Sequence, residues 1–576
     1  MIQENYIYHG RPWRQHYSPS TNKELLPFEF KNLPEMIFKA YQKYSSQTAY
    51  KLVLPNGLSG SLTYKESHEY SDDFAVYLKE VLKLKDGERI AIQLPNCLAY
   101  PVCVFGALKA GCIVVNTNPL YTSYEMEHQF IDSEASVLII IDMFANKLTE
   151  ILKKTKIKKV ILVSLVDFFS PHKKLFIHSV LKYIKKTIPK CEIQSEKLNS
   201  VLQIGRQIKN EKAIDASLYW KNISEEHTCA LQYTGGTTGV SKGAVLSHKN
   251  ILANMYQIIE MGKDKMEDGK ECILTVLPLY HIFAFTLNLI TFYYYGGLNI
   301  LIPNPRPLTN LKKAFQQYNI TWISGVNTLF NGLLNESWFT KNCVCFLKAS
   351  IAGGTALHKS VAEKWLAITG TLVVEGFGLS ETSPVVTFNP ISGQIKADTV
   401  GIPVPSTDVA IINDDGEPVA LGEIGEIVVK GPQVMSSYWN KPQETEKSLH
   451  NNWFFTGDVA FMDKDGYIKI VDRKKDMIIV SGFNVYPNEI EDIISQHSDV
   501  LEVAVIGVPS ELTGECVKAF IVLKNKKLTS AEIEQFCRKY LTSYKIPKII
   551  EFINALPKTP VGKILRKNLR ENKLKN

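Results

Sequence analysis

The sequence predicts an α/β protein. A large N-terminal domain of mostly parallel sheets flanked by helices, with a small β-rich lobe, is followed by a small mobile α+β C-terminal domain. Three observations predict this. Residues 62–163 alternate strand-like and helix-like segments, the grammar of βαβ units and a parallel sheet. Several of the strand segments are continuous apolar runs, as expected of strands covered on both faces. Beyond residue 395 the pattern changes to short strands and tight turns, and a separate segment of about 100 residues closes the chain.

The elements follow in order. A short strand at 62–64 precedes Tyr70, Phe74, Leu78 and Leu82, which recur at helical spacing. A strand at 89–94 is followed by a helix through Ala107 that ends near Gly111, then by a strand at 113–116. Ser123 precedes an acid-rich helix carrying Glu125 and Glu127, and the runs 137–141 and 160–163 are buried strands. The pattern persists to about residue 380. Turns at 414–416 (Asp-Asp-Gly) and 463–466 (Asp-Lys-Asp-Gly) mark the β-rich lobe. After the charged joint 472–476 (Asp-Arg-Lys-Lys-Asp) come strands at 503–508 and 517–523 and a helix near 531–541. The expected domains are therefore 1–472 and 473–576.

Composition narrows the function classes. At 576 residues one core is not enough, and 45% hydrophobic with 22% charged residues is the mix of an ordinary soluble globular protein. The net charge of +8 suits polyanionic small ligands or an anionic surface and does not demand nucleic acid. Ten cysteines are scattered without a CxxC pair, Cys343 and Cys345 being the nearest neighbours, so reduced thiols in a reducing compartment are expected. The first residues show no basic start leading into an apolar run, so no secretory signal is expected. The most apolar stretch, 97–115, is interrupted by Lys109 and reads as helix, turn and strand. Between Lys147 and Lys190 lysines are frequent and acids nearly absent. Residues 176–186 read either as a solvated surface helix or as a basic amphipathic helix on anionic lipid, and the plainer first reading is favoured. The expectation is a cytoplasmic protein. A peripheral place on the inner face of the cell membrane and a homodimer are left open.

The most informative stretch is 233–243 (Tyr-Thr-Gly-Gly-Thr-Thr-Gly-Val-Ser-Lys-Gly). Glycines let backbone N–H groups approach a polyphosphate, and the hydroxyls add donors. A strand at 228–233 leads into it, and sheet ends are where α/β proteins place nucleotides. It is not a Walker loop, because Ser241 precedes Lys242 and Gly243 follows it. Four weaker motifs follow: 375–382 (Glu-Gly-Phe-Gly-Leu-Ser-Glu-Thr), 454–458 (Phe-Phe-Thr-Gly-Asp), 472–482, and 557–563 (Pro-Lys-Thr-Pro-Val-Gly-Lys). Singly, each reads as a turn or a solvated charge.

Together, in this order and spacing, they resemble the acyl-adenylate-forming superfamily over about residues 62–565. The flanks look most like bacterial long-chain fatty acid–CoA ligases, notably 116–121 (Asn-Thr-Asn-Pro-Leu-Tyr), 277–283 (Leu-Pro-Leu-Tyr-His-Ile-Phe), 325–330 (Gly-Val-Asn-Thr-Leu-Phe) and 480–490. The resemblance implies ATP-dependent activation of a fatty acid to acyl-AMP, then transfer to CoA, with Mg²⁺ assisting. In-line displacement between anions makes charge neutralisation the main catalytic demand.

The resemblance also implies roles. Thr234, Gly235, Gly236, Thr237, Thr238, Gly239 and Lys242 would hold the β- and γ-phosphates, with Lys242 secondary. Glu381 would hold Mg²⁺ and Ser380 the α-phosphate, where the family more often has Thr. Phe377 would stack on adenine where the family usually has Tyr, with Gly353, Gly354, Gly376 and Gly378 close to the nucleotide. Asp458 would accept from the ribose hydroxyls, supported by Arg473. Lys563 would reach the reacting oxygens and His281 would stand at the carboxyl group. Residues 282–285 (Ile-Phe-Ala-Phe) supply no charge for a substrate ammonium, so an apolar tail is favoured, with Gly325 and Val326 lining its pocket. Lys475 would be the hinge, and Ser481, Gly482 and Phe483 would line the CoA path in a second pose. Transfer to a carrier-protein thiol, a luciferase-like oxidation, and a non-catalytic lipid-binding protein are the alternatives. The intact Glu381, Asp458 and Lys563 argue against the last.

Overall fold

The computed structural model describes residues 10–25, 27–189, 193–234, 241–341, 346–481, 483–524, 528–559 and 562–571. Two large sheets build the N-terminal domain. The first runs Ser437–Tyr438, Lys242–Ser247, Thr228–Thr234, Ile113–Asn116, Arg89–Gln93, Val137–Ile141, Lys159–Val163, Glu196–Lys197. Its strands are parallel from Thr228–Thr234 to the far edge. The edge strands Lys242–Ser247 and Ser437–Tyr438 run antiparallel. The second sheet has nine strands, parallel from Val373–Gly378 through Ala349–Gly353, Trp322–Gly325, Cys272–Thr275 and Leu298–Leu301 to Thr48–Val53. Val385–Phe388 and Ile402–Pro403 extend it antiparallel at one edge, and Ser59–Thr63 at the other.

Helix Ala99–Lys109 is buried along its whole length, which explains why it is apolar all round. Its one charge, Lys109, is neutralised by Asp72 at 2.7 Å, with Ser71 at 2.8 Å. The stretch 97–115 is thus helix, turn and strand as expected. Among the described residues no helix is long and apolar enough to cross a membrane. Helix Ser123–Ser133 is capped by Thr122 rather than Ser123. The Thr122 hydroxyl accepts the Glu125 amide and Glu125 reaches back to the Thr122 amide, a complete capping box. Cys97, Cys103, Cys112, Cys229, Cys272 and Cys537 are free and buried. Cys343 and Cys345 lie outside the described residues.

The β-rich lobe is a sheet of Asp408–Ile412, Gly425–Lys430, Trp453–Met462 and Leu449–His450, with Ile468–Arg473 on Trp453–Met462. Residues 474–476 form the turn out of this lobe, and Lys475 sits in it. The C-terminal unit follows with strands Ile478–Val480, Phe483–Val485, Val500–Ser510, Gly514–Leu523 and Ile549–Phe552, and its own core around Ile478, Val505, Ile521 and Ile533. Its helix Ser530–Cys537 is shorter than expected. The chain continues to Leu541 in tighter turns.

Asp472 pins the junction, accepting the Arg473 amide at 2.7 Å and the Asn488 amide at 2.9 Å. Elsewhere the two units meet through His358 Nδ1 and Asp492 at 2.9 Å, and through Asn331 Nδ2 donating to the Leu501 carbonyl at 3.2 Å.

Candidate functional site

A cleft opens at the carboxyl ends of strands Ala349–Gly353 and Val373–Gly378. This is the expected ligand position in an open α/β sheet. One wall carries Gly353, Gly354, Gly376, Phe377, Gly378 and Ser380, with His281 and Lys563 facing it. The glycines are needed for different reasons. A Cβ on Gly376 would lie 2.8 Å from Phe388, and one on Gly378 would lie 1.9 Å from the Pro384 carbonyl, so the neighbouring strand excludes side chains there. Gly354 has φ +78°, and a Cβ there would lie 3.0 Å from Lys563 Cε. Apolar side chains complete the lining: Ile258 and Met261 from helix His248–Gly262, and Leu287, Ile351, Val385 and Val404.

Lys563 comes from the C-terminal unit on a turn where the Lys563 amide donates to the Thr559 hydroxyl at 3.1 Å. Burial lowers its ammonium to a pKa of about 8, helped by Arg473 and opposed by Asp458 and Glu381. His281 caps the following turn, its Nδ1 accepting the Phe283 amide at 3.3 Å. The ring proton therefore sits on Nε2. Burial, then Lys563, lowers this imidazole to about 3, so it is neutral at physiological pH.

Asp458 and Arg473 are cross-strand neighbours, with Arg473 Nε 3.0 Å from Asp458 Oδ1. Asp458 is buried, and burial raises its pKa despite Arg473. Its Oδ2 has no hydrogen-bond partner among the described residues. An unpartnered buried carboxylate oxygen needs a donor that the protein does not supply. A nucleotide's ribose hydroxyls fit that need.

The loop at 233–243 joins two antiparallel strands in register, Thr234 opposite Lys242, so it is a hairpin loop. Gly235, Gly236, Thr237, Thr238 and Gly239 lie outside the described residues. The hairpin base is fixed from outside: Tyr233 donates to Asp132 at 2.7 Å, and His128 Nε2 lies 3.1 Å from the Ser241 carbonyl. Lys242 is engaged by an ion pair with Glu444 and sits 4.9 Å from the centre of the Tyr438 ring. The turn Ser380–Thr382 packs against both hairpin strands and brings Glu381 there. Glu381 is buried, and its Oε1 accepts the Tyr438 hydroxyl at 2.7 Å. Among the described residues nothing bonds its Oε2, and no cluster of three metal-ligating side chains occurs. One oriented carboxylate beside the base of this hairpin fits Mg²⁺, which usually takes one or two carboxylates and substrate phosphates.

Gly325 and Val326 do not line the cavity. Val326 packs under the Lys563 loop, its Cγ2 3.0 Å from where a Gly562 Cβ would stand. Lys475 lies in the turn between the β-rich lobe and the C-terminal unit. Ser481 and Phe483 are exposed and away from the cavity, Phe483 stacking on Tyr544 at 4.8 Å. Gly482 lies outside the described residues. Sequence reasoning missed Tyr438, Asp132 and His128, and also the cavity wall of Met261, Leu287, Val385 and Val404. Each is a common residue type in an ordinary element, so the sequence carried no signal for it.

A glycine-lined cleft at the sheet ends, entered by a lysine from a second unit, is the arrangement of an adenylate-forming enzyme. The chain belongs to the AMP-binding enzyme family: the family's main model matches residues 38–439, and the AMP-binding enzyme C-terminal domain matches 489–563. It is 45% identical over 564 residues to the long-chain-fatty-acid–CoA ligase of Yersinia pestis, with 98% of each chain covered. To the enzyme of the same name from Bacillus subtilis it is 37% identical, covering 98% of this chain and 99% of that one. Among solved structures it resembles ATP-bound MatB from Rhodopseudomonas palustris, with TM-score 0.79 and 26% identity over 94% of this chain and 99% of that one.

Proposed function

We propose that the protein is a long-chain fatty acid–CoA ligase working through acyl-AMP. The observation that carries this is the cleft itself, in which glycines, His281, Lys563 and a set of apolar side chains share one lining. The fatty acid's tail lies along Ile258, Met261, Leu287 and Val404, and its carboxylate meets the Nε2–H of neutral His281. That carboxylate attacks the α-phosphate of ATP, forming the acyl–phosphate bond and breaking the bond to pyrophosphate. Lys563, from the C-terminal unit, neutralises the charge that builds on the reacting oxygens. Ser380 holds the α-phosphate, the 234–242 loop the departing pyrophosphate, and Asp458 with Arg473 the ribose. Phe377 stacks on adenine. Mg²⁺, held by Glu381, supplies further neutralisation when bound.

In the second step the CoA thiol attacks the acyl carbon and releases AMP and a proton. The Lys563 turn vacates the cavity by rotation about Lys475, and 481–483 then lines the approach of CoA. The exposure of Ser481 and Phe483 while Lys563 is in the cavity supports two alternating poses. The protein works in the cytoplasm, on acid drawn from the inner face of the membrane.

Pyrophosphate release, measured across a fatty-acid length series with and without CoA, tests the reading. Turnover rising with chain length into the long-chain range and requiring CoA is expected. A preference for short, aromatic or amino acids overturns it.

A further inference from the structure

We infer that the helical segment 171–186 seats the protein on an anionic bilayer surface. Leu175, Phe176, Tyr183 and Ile184 enter the lipid, and the neighbouring lysines meet the headgroups. The inference rests on the fatty-acid reading for its purpose, since a bilayer is where long-chain acids dissolve.

The segment departs from a plain amphipathic helix. Helix Pro171–Ser179 runs directly into one wide π turn, Val180–Ile184, in which the Lys185 amide bonds the Val180 carbonyl at 2.8 Å. One α turn plus one π turn takes up about eight residues. That is the spacing from Leu175 to Tyr183 and from Phe176 to Ile184. The wide turn thus lines up two apolar pairs that a regular helix would splay apart.

The inner face is fastened down. Ile177 is buried and Leu181 packs on the main core. Buried Asp167 holds the base, accepting from Lys174 at 2.6 Å and from Asn199 at 3.0 Å. The outer face is open: Leu175, Phe176, Tyr183 and Ile184 are 71%, 61%, 68% and 75% exposed. Single exposed apolar residues are ordinary, but four large ones on one short element are not.

Charge selects lipid over a protein partner. From residue 168 to 191 there is no acid, and Lys182, Lys185 and Lys186 are exposed beside the apolar residues. Lysine is depleted at protein interfaces, whereas at bilayers its long stem lies along the apolar zone and its ammonium reaches the headgroups. A patch this small gives reversible docking that needs both the apolar and the basic contribution.

The test is co-sedimentation of the full chain with phosphatidylcholine vesicles with and without phosphatidylglycerol, for the parent and two variants. One variant is Leu175→Ser, Phe176→Ser, Tyr183→Ser and Ile184→Ser together. The other is Lys182→Gln, Lys185→Gln and Lys186→Gln together. The parent should pellet with phosphatidylglycerol vesicles and be released by salt, and each variant should bind at least about tenfold more weakly. Ligation of detergent-dispersed oleate should stay at the parent's level in both variants, which shows that they fold. Equal pelleting of parent and variants, or pelleting independent of phosphatidylglycerol, overturns the proposal. A parent that stays in the supernatant with both vesicle types also overturns it and points to a protein partner. Failure of the parent to ligate oleate overturns the enzymatic reading instead, whatever the vesicles show.

Discussion

Lys563 gives the enzyme an alkaline limb in its first half-reaction. A solvated lysine titrates near 10.4, but burial brings Lys563 to about 8. The ammonium is the form that neutralises the reacting oxygens, so its loss costs rate. With a pKa of about 8, about nine-tenths of the free enzyme carries the proton at pH 7 and about one-tenth at pH 9. kcat/KM for ATP reports the free enzyme, so it should fall about tenfold over that span and about tenfold for each further pH unit. The assay is pyrophosphate release without CoA, under conditions where ATP is far below saturation. Lys563→Arg is the comparator, because its guanidinium stays charged throughout while every other titrating group is shared. Whatever activity that variant keeps should lack the limb. A flat parent profile to about pH 9.5, or the same limb in the arginine variant, refutes the assignment.

Two further outcomes follow from neighbouring groups. Tyr438→Phe removes the hydrogen bond that orients Glu381. A bond to a charged group is worth about 1.5–3 kcal/mol, so the Mg²⁺ needed for half-maximal pyrophosphate release should rise about tenfold or more, with KM for the fatty acid unchanged. An unchanged Mg²⁺ titration removes Tyr438 from the site. Burial pushes the Glu375 carboxyl up to about 8, against about 4.3 unfolded. The folded chain therefore keeps a proton that the unfolded chain releases. This stabilising contribution is full below about pH 4.3 and is lost as pH rises toward about 8. Glu375→Gln should lose less melting temperature between about pH 5 and 8 than the parent, and parallel curves contradict this.

Much of the frame was legible because its signals are local. Val137–Ile141 is an unbroken apolar run and Ile113–Asn116 is apolar up to its last residue, and the structure reproduces those bounds. The β-rich lobe showed itself through its Asp-Gly turns. The candidate site residues could be placed because their motifs stand in a specific order, and the structure brings Glu381 and Arg473 close enough to act on the titration of Asp458 and Lys563. The apolar lining of the cleft was not legible. Met261 lies at the end of a helix, Leu287 in a π-helical stretch, and Val385 and Val404 at a sheet edge, so only tertiary packing brings them to one cleft. Gly325 and Val326 are not among the residues lining this cleft: a Cβ on Gly325 would meet Leu329 and Phe330, and Val326 lies against Gly562. Tyr438 escaped notice because it sits in a two-residue strand whose partner is distant in sequence. The π turn at Val180–Ile184 was hidden as well, since a wide turn leaves no mark on periodicity over so few residues.

The central claim is that one site serves two half-reactions, with Lys563 present for the first and withdrawn for the second. Lys563→Ala separates them directly. Measured as pyrophosphate release, acyl-AMP formation should fall about 10²–10³-fold or more, the cost of losing one pre-organised charge-stabilising donor. Measured with synthetic acyl-AMP and CoA, thioester formation by the same variant should stay within a few-fold of the parent. Equal loss of both half-reactions would contradict the account.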